Sequence, residues 1–155
     1  MRARHVVMAV AVACAGMAAS DTAGVAQEKA TGIAAYRQAV MRAQAGHSGA
    51  IQVILTDQTQ LLEHVAFHAG SIQESARHIP EAFPEGSMQP ASRALPVIWE
   101  RWDEFQAAAG RLEELAGQVV ETSRGGDVQA TLAAFGAMGR DGCGGCHNTF
   151  RAESP

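Results

Sequence analysis

The apolar residues in the second half of the chain recur at alternating steps of four and three residues. From position 98 to position 119 this spacing is unbroken, and it places every member on one face of an α-helix. The members are Ile98, Trp102, Phe105, Ala109, Leu112, Ala116 and Val119. The period of two that is typical of β-strands is hard to find anywhere in the sequence. We therefore predict a chain built from amphipathic helices that pack against one another.

Two helices are predicted in the first half of the chain. The first extends from about residue 28 to residue 55 and is weakened by two interior glycines, each of which costs about 1 kcal/mol relative to alanine. Thr56 and Asp57 offer an N-cap for the second helix, whose apolar face reaches Ile79. Prolines mark residues 79–94 as a long crossing loop, and Pro96 suits the first turn of a third helix.

The fourth helix is predicted to begin after a short break at Gly125 and Gly126, with Asp127 as its N-cap. Its predicted apolar face contains Val128, Leu132, Phe135, Gly139, Gly142, Cys146 and Thr149. Four helices with two short links and one longer crossover predict an all-α fold, an antiparallel four-helix bundle.

The first 26 residues are predicted to be a signal peptide. Two arginines precede an uncharged apolar run at residues 6–15, which is too short to span a bilayer as a helix. Cleavage after Ala26 is expected, with residues 18 and 20 as alternative sites, and lipidation of Cys14 is a further alternative. The mature domain would then comprise residues 27–155 and lie in the periplasm, with no membrane span.

Composition restricts the class of partner. The chain has 155 residues, of which 47% are hydrophobic and 18% are charged, so it is long enough for one globular domain with its own core. Its net charge is −4, and loss of two basic and one acidic residue with the signal segment makes the mature charge −5. An acidic chain has no basic field to neutralise phosphates, so a nucleic-acid partner is not expected.

The two cysteines of the mature chain lie in residues 143–147, which read Cys-Gly-Gly-Cys-His. This C-x-x-C-H spacing is that of a c-type haem attachment site. Two thiols three positions apart can each form a thioether to one vinyl group of a porphyrin, and the adjacent imidazole can then bind the iron. The motif therefore predicts one covalently bound haem c on Cys143 and Cys146, with His147 as the iron ligand.

Two other types of site can contain paired cysteines. A thioredoxin-like dithiol follows a β-strand in a βαβ unit, which is not predicted here, although an exported protein can also oxidise the pair to a disulfide. A structural zinc site needs four ligands, and only eight residues follow His147. Both alternatives fit the sequence less well than haem.

Five sequence blocks, taken in order, make the chain resemble cytochrome c′ and its low-spin relatives, the class II c-type cytochromes. The blocks are residues 36–41 (YRQAVM), 83–87 (FPEGS), 95–99 (LPVIW), 134–136 (AFG) and 143–151 (CGGCHNTFR). The resemblance covers essentially the whole mature chain. It implies a four-helix bundle in which Cys143 and Cys146 anchor the haem and His147 is the proximal ligand.

The resemblance also implies roles for residues outside the C-x-x-C-H motif. Arg37, with Gln38 beside it, would lie next to the haem propionates, and Arg151 would be the basic residue near the proximal imidazole, one helical turn after His147. The alternative for Arg37 is a solvated surface charge. Met41 lies one helical turn after Arg37, so both side chains can face the same ligand.

Met41 matches the position that faces the distal side of the iron, and the family divides there. In low-spin relatives a methionine binds the iron, which suits electron transfer. We therefore expect a carrier of single electrons between periplasmic redox proteins, which turns over no substrate. In typical cytochromes c′ the residue at this position only crowds an empty sixth coordination site of the iron. The alternative is therefore a five-coordinate haem protein that binds nitric oxide or carbon monoxide. Such relatives often form homodimers through their first two helices, which makes a homodimer a possible state here.

The remaining histidines are expected to be structural. His64 and His68 lie one helical turn apart but lack the intervening glutamate of a zinc-protease helix. We expect both to be surface or loosely packed residues. His47 follows Met41 by six residues, so the two side chains cannot both point directly at one iron. His78 is predicted at a helix end, where a positive charge is favourable.

Overall fold

The structure is a computed structural model, and it describes residues 29–153. The predicted signal segment at residues 1–26 lies outside the described residues. The elements in chain order are α1 Gly32–Asp57, α2 Leu62–Arg77, α3 Val97–Glu100, α4 Trp102–Arg124, α5 Val128–Ala137, a π-helical segment Met138–Gly144, and α6 Gly145–Phe150. α3 and α4 together form the third helix of the bundle, and α5, the π segment and α6 form the fourth. The predicted all-α four-helix bundle is confirmed.

The boundary between the first two helices differs from the prediction. α1 continues through both interior glycines to Asp57, and a 3₁₀ turn at Thr59–Leu61 precedes α2. Thr56 is not an N-cap, since its hydroxyl donates to the carbonyl of Gln52 inside α1 at 3.0 Å. The predicted cap at Thr56 and Asp57 is therefore wrong, because the packing of α1 against α2 extends the first helix beyond its glycine-weakened segment.

The third helix closely follows its predicted pattern. It begins directly after Pro96, and its backbone is interrupted only at Arg101, which has φ −123° and ψ 51°. Five of the seven predicted apolar positions lie along α4 and are buried, namely Phe105, Ala109, Leu112, Ala116 and Val119. Ile98 in α3 is also buried, and Trp102 is partly buried. α4 packs against α2 and against the fourth helix, so it is the central element of the bundle.

The start of the fourth helix is as predicted. The carboxylate of Asp127 accepts a hydrogen bond from the backbone N–H of Ala130 at 2.9 Å, which is the contact of an N-cap. Before it, Gly126 adopts φ +77°, a conformation that favours glycine. The two glycines therefore reverse the chain, and the aspartate starts the next helix.

The buried face of the fourth helix differs from the predicted face. Leu132 is 40% exposed, and Gly139 is also exposed, although both were predicted to face the core. Gly142 and the partly buried Cys146 face inward as predicted. The other inward positions are Thr131, Met138 and Phe150, which were not predicted. From Met138 onward the inward positions are four residues apart, because a π-helix has more residues per turn than an α-helix. The π segment therefore changes which residues face the core.

No helix within residues 29–153 is both long enough and apolar enough to cross a membrane. In the same range the only β pairing is one antiparallel bridge between Ala94 and Arg151. Neighbouring backbone bonds reinforce it: the N–H of Leu95 donates to the carbonyl of Phe150 at 3.1 Å, and that of Ala152 donates to Arg93 at 2.8 Å. The crossing loop is thus attached to the segment that follows α6.

Candidate haem site

A cavity of about 450 Å³ lies between α1 and the fourth helix, with side chains of α4 between them. Cofactor and small-molecule sites usually have volumes of roughly 300–1,000 Å³. All seven site residues predicted from the sequence line this cavity: Arg37, Gln38, Met41, Cys143, Cys146, His147 and Arg151. The fold therefore brings together residues more than one hundred positions apart in the sequence.

The two cysteines are free thiols at the junction of the π segment and α6, and both are partly buried. Burial raises the pKa of the Cys143 thiol. Burial, together with the neighbouring Cys143, raises the pKa of Cys146 to about 11. Redox-active dithiols have a lowered pKa, so a thioredoxin-like role does not suit this pair. Two adjacent thiols that face a cavity do fit the attachment of a porphyrin.

A glycine allows the cysteine motif to approach α4. A Cβ atom at Gly142 would lie 3.0 Å from Leu112 Cδ1 and 3.4 Å from Leu112 Cα. A side chain at this position would require Leu112 or the π segment to shift by a few tenths of an ångström. Sequence reasoning placed Gly142 on the core face but did not identify this close contact.

His147 is partly buried beside the two cysteines. Burial lowers the pKa of its imidazole, and the positive charges of Arg151 and Arg93 lower that pKa further. The imidazole is therefore neutral at neutral pH, which is the form that binds a metal. Among residues 29–153 no three His, Cys, Asp or Glu side chains are arranged to hold one metal ion, whereas a structural zinc site uses four ligands. The donor set fits haem better than zinc.

Arg151 is close to His147, but it is not part of a helix. α6 ends at Phe150, and Arg151 is extended with φ −126° and ψ 132°. Arg151 is the C-cap that directly follows this last helical turn, and its own backbone pairs with Ala94 of the crossing loop. Arg93, which the sequence did not indicate, reaches the same imidazole from that loop. The loop pairing therefore places two positive charges beside His147.

Arg37 is only 4% exposed, so the alternative of a solvated surface charge is wrong. Its guanidinium donates to the carbonyl of Ala82 at 3.2 Å, and to the hydroxyl and the carbonyl of Ser87 at 2.7 Å each. It also lies over the ring of Phe83, with its Cζ atom 4.6 Å from the ring centroid. These bonds use three of the five N–H donors of an arginine, which leaves two for a carboxylate. Arg37 thus attaches the crossing loop to α1 at the rim of the cavity.

Gln38 has a similar contact beside Arg37. Its amide donates to the carbonyl of Ala91 at 3.0 Å, and its side chain lines the cavity. Two consecutive residues of α1 therefore hold the crossing loop, Arg37 at Ala82 and Ser87 and Gln38 at Ala91.

Aromatic rings pack along one wall of the cavity. The ring of Phe105 contacts those of Phe83, Trp102 and Phe150, with centroids 4.8, 5.5 and 5.3 Å apart. The indole N–H of Trp99 donates to the carbonyl of Phe83 at 3.0 Å. The wall is apolar and rigid, as a large planar cofactor requires.

Comparison with known proteins identifies the family to which this site belongs. A profile of the family described as Cytochrome C′ matches residues 32–151. This chain belongs to the cytochrome c′ family. It is 34% identical over 117 residues to cytochrome c′ of Pararhodospirillum photometricum, covering 75% of this chain and 93% of that protein. It is 34% identical over 118 residues to cytochrome c-556 of Agrobacterium tumefaciens (strain II Chrys), covering 76% of this chain and 94% of that protein.

Solved cytochromes c′ have the same fold. The crystal structure of cytochrome c′ from Rubrivivax gelatinosus superposes with a TM-score of 0.67 at 23% identity, covering 77% of this chain and 94% of that one. That of cytochrome c′ from Thermochromatium tepidum gives a TM-score of 0.70 at 22% identity, covering 78% and 95%. Cytochromes c′ bind one covalently attached haem c, and residues 143–147 have its attachment spacing. The predicted cofactor is therefore confirmed.

Met41 lies in the cavity wall formed by α1, across the cytochrome c′ haem cavity from the motif of residues 143–147. It is partly buried and packs against the core. It also lines a second cavity, of about 420 Å³, between α1 and α2. The two cavities share Arg37, Met41, Ile79 and Phe83.

The other histidines lie outside this cytochrome c′ site. His64 is largely exposed, as predicted. His68 is partly buried and contacts His47 of α1, with their Nδ1 atoms 3.0 Å apart. This pair was missed because helical spacing relates residues on one helix only. His78 follows the last residue of α2, as predicted, and lies 3.7 Å from Glu74 and 3.3 Å from Glu81.

Proposed function

We propose that this cytochrome c′ binds a small gas such as nitric oxide or carbon monoxide at a five-coordinate haem. Cytochromes c′ are typically five-coordinate, which favours this function over methionine ligation and electron transfer. A cytochrome c′ from Alcaligenes xylosoxidans, with the same fold at 21% identity and a TM-score of 0.67, has been solved as the nitric oxide complex of a single-residue mutant. The protein would act in the periplasm after removal of residues 1–26, and it would turn over no substrate.

The roles of individual residues follow from their positions around the cavity. Cys143 and Cys146 would hold the two vinyl carbons, and His147 would be the axial ligand from the fourth helix. Arg37 and Gln38 would bind the propionates, and Arg151 would keep the imidazole of His147 neutral. When bound, the haem supplies an iron whose open coordination position holds the gas.

The observation that carries the proposal is the wall shared by the two cavities. Ile79 and Phe83 are buried apolar side chains of this wall, and Met41 completes it from α1. Three of the four residues that the two cavities share are apolar, Arg37 being the exception, and a flexible thioether can move aside for a diatomic molecule. Met41 would therefore restrict the size of the ligand.

Absorption spectra of the reduced holoprotein test the proposal. A broad high-spin spectrum that changes readily with carbon monoxide is expected. A sharp low-spin α-band that is lost in Met41→Ala would overturn it.

Electron transfer with Met41 as the sixth ligand is the second candidate. It is favoured by the position of Met41 on the wall opposite His147. Its partners would be periplasmic redox proteins, and the mature charge of −5 would favour docking through their basic residues. In this case association with a basic partner would slow as salt is added, and carbon monoxide would bind only slowly.

A further inference from the structure

His47 of α1 and His68 of α2 form a pair outside the haem cavity. Their Nδ1 atoms are 3.0 Å apart, although 21 residues separate them in the sequence. The ring centroids are 5.3 Å apart. A hydrogen bond accounts for this distance if one Nδ1 carries a proton and the other does not. The same distance also suits two nitrogens bound to one metal ion.

The separation of the two nitrogens is close to that of two imidazole ligands on one metal ion. Imidazole nitrogens lie about 2.0–2.1 Å from a bound divalent ion, so two ligands at roughly 90° are about 2.9 Å apart. At a tetrahedral angle they would be about 3.4 Å apart. The observed 3.0 Å therefore fits adjacent positions of a square-planar or tetragonal site, the geometry typical of Cu(II) and Ni(II).

The surroundings hold the two rings in place and leave them accessible. Phe67 packs edge-on against both, with its centroid 6.0 Å from that of His47 and 5.1 Å from that of His68. Phe67 is itself 67% exposed, so solvent reaches this part of the surface. The contacts of the two rings with Phe67 and with each other restrict them before an ion binds.

The charge state of His68 also suits a metal ligand. Burial lowers the pKa of His68, and the neighbouring His47 and His64 lower it further. His68 is therefore neutral at neutral pH, as coordination requires. His64 lies one helical turn before His68, on the exposed side of α2, and its Nε2 atom is 3.9 Å from a carboxylate oxygen of Glu63.

We propose that His47 and His68 form a binding site for one Cu(II) or Ni(II) ion, through the two Nδ1 atoms. Among residues 29–153 no third His, Cys, Asp or Glu completes such a group, so water would occupy the remaining positions. Two imidazoles and water form a site of moderate affinity that exchanges its ion. The site is separate from the haem and does not depend on the function proposed for it.

Copper titration of the ferric holoprotein tests the site. Electron paramagnetic resonance of the Cu(II) form should show superhyperfine coupling to two imidazole nitrogens at one bound equivalent. This measurement needs no variant, so it does not depend on whether a substituted chain folds. Coupling to one nitrogen, or no saturable binding, would overturn the proposal and would mean that the pair is only a hydrogen bond.

Four variants identify the ligands, with a competing chelator to measure affinity. His47→Gln and His68→Gln should each weaken Cu(II) binding by at least about tenfold, whereas His64→Gln and His78→Gln should stay within about twofold of the parent. The absorption spectrum of the haem and the helical circular dichroism should be unchanged in all four. If His64→Gln weakens binding as much as His68→Gln does, copper binds along α2 alone and the proposed site is wrong.

Discussion

The guanidinium of Arg37 donates two hydrogen bonds of 2.7 Å to Ser87, which lies fifty residues further along the chain. One bond goes to the hydroxyl and the other to the backbone carbonyl. A third bond reaches Ala82. This arginine therefore determines where the crossing loop lies relative to α1, and it does so at the rim of the haem cavity.

Substitution of Arg37 should destabilise the fold. Arg37→Gln removes bonds from a buried, charged donor to the crossing loop, and we expect the free energy of unfolding to fall by about 2–3 kcal/mol. Urea denaturation of the holoprotein measures this change. Arg124→Gln, at the exposed end of α4, is the control and should change stability by less than about 0.5 kcal/mol. Equal effects of the two substitutions would contradict the anchoring role of Arg37.

Gly142 should not tolerate a side chain. The Cβ atom of Gly142→Ala would meet Leu112 at 3.0 Å from its Cδ1, and we expect overpacking to cost about 1–3 kcal/mol. Gly139→Ala is a matched control in the same π segment, since nothing lies within 4 Å of a Cβ there. It should be neutral or stabilising, because alanine favours helical backbone. Thermal unfolding of both variants, followed by circular dichroism, checks this difference, and the opposite order of stability would refute it.

Asp127 should contribute to stability as an N-cap. Asp127→Ala removes the bond to the N–H of Ala130, and a lost cap typically costs about 1 kcal/mol. Thr31 occupies the same position before α1 but forms no side-chain capping bond. Thr31→Ala should therefore have a smaller effect in the same denaturation assay. If Thr31→Ala lowers the free energy of unfolding more than Asp127→Ala does, the capping hydrogen bond does not determine which substitution is more destabilising.

Met41 should control access to the distal side of the haem. If it crowds an open coordination position, Met41→Ala should speed carbon monoxide binding several-fold in stopped-flow or flash experiments, because steric access governs such sites. Met88→Ala is the control, since Met88 is 42% exposed and lies outside both cavities. An unchanged rate in Met41→Ala would mean that another part of the wall limits entry.

Sequence reasoning was more accurate for the side chains that line the cavity than for the local conformation of the backbone. The stripe from Ile98 to Val119 follows helical spacing, and α3 and α4 have the same inward face. The π segment could not be predicted, since helix propensities do not distinguish it from an α-helix. As a result Leu132 and Gly139 were assigned to the wrong face.

Contacts between distant segments were also beyond sequence reasoning. Arg37 was identified through the family resemblance, but its hydrogen bonds to Ser87 depend on the path of the crossing loop. The contact between His47 and His68 depends on how α1 and α2 are aligned. Periodicity describes one helix at a time, so it carries no information about such alignments.

The bridge between Ala94 and Arg151 joins the crossing loop to the segment that directly follows the cysteine motif. The two bridge partners are fifty-seven positions apart in the sequence, whereas Arg151 lies only four positions after His147. The opposite side of the loop is held by Arg37 of α1. A displacement of the segment that carries the two thiols would therefore be transmitted through the loop to the first helix.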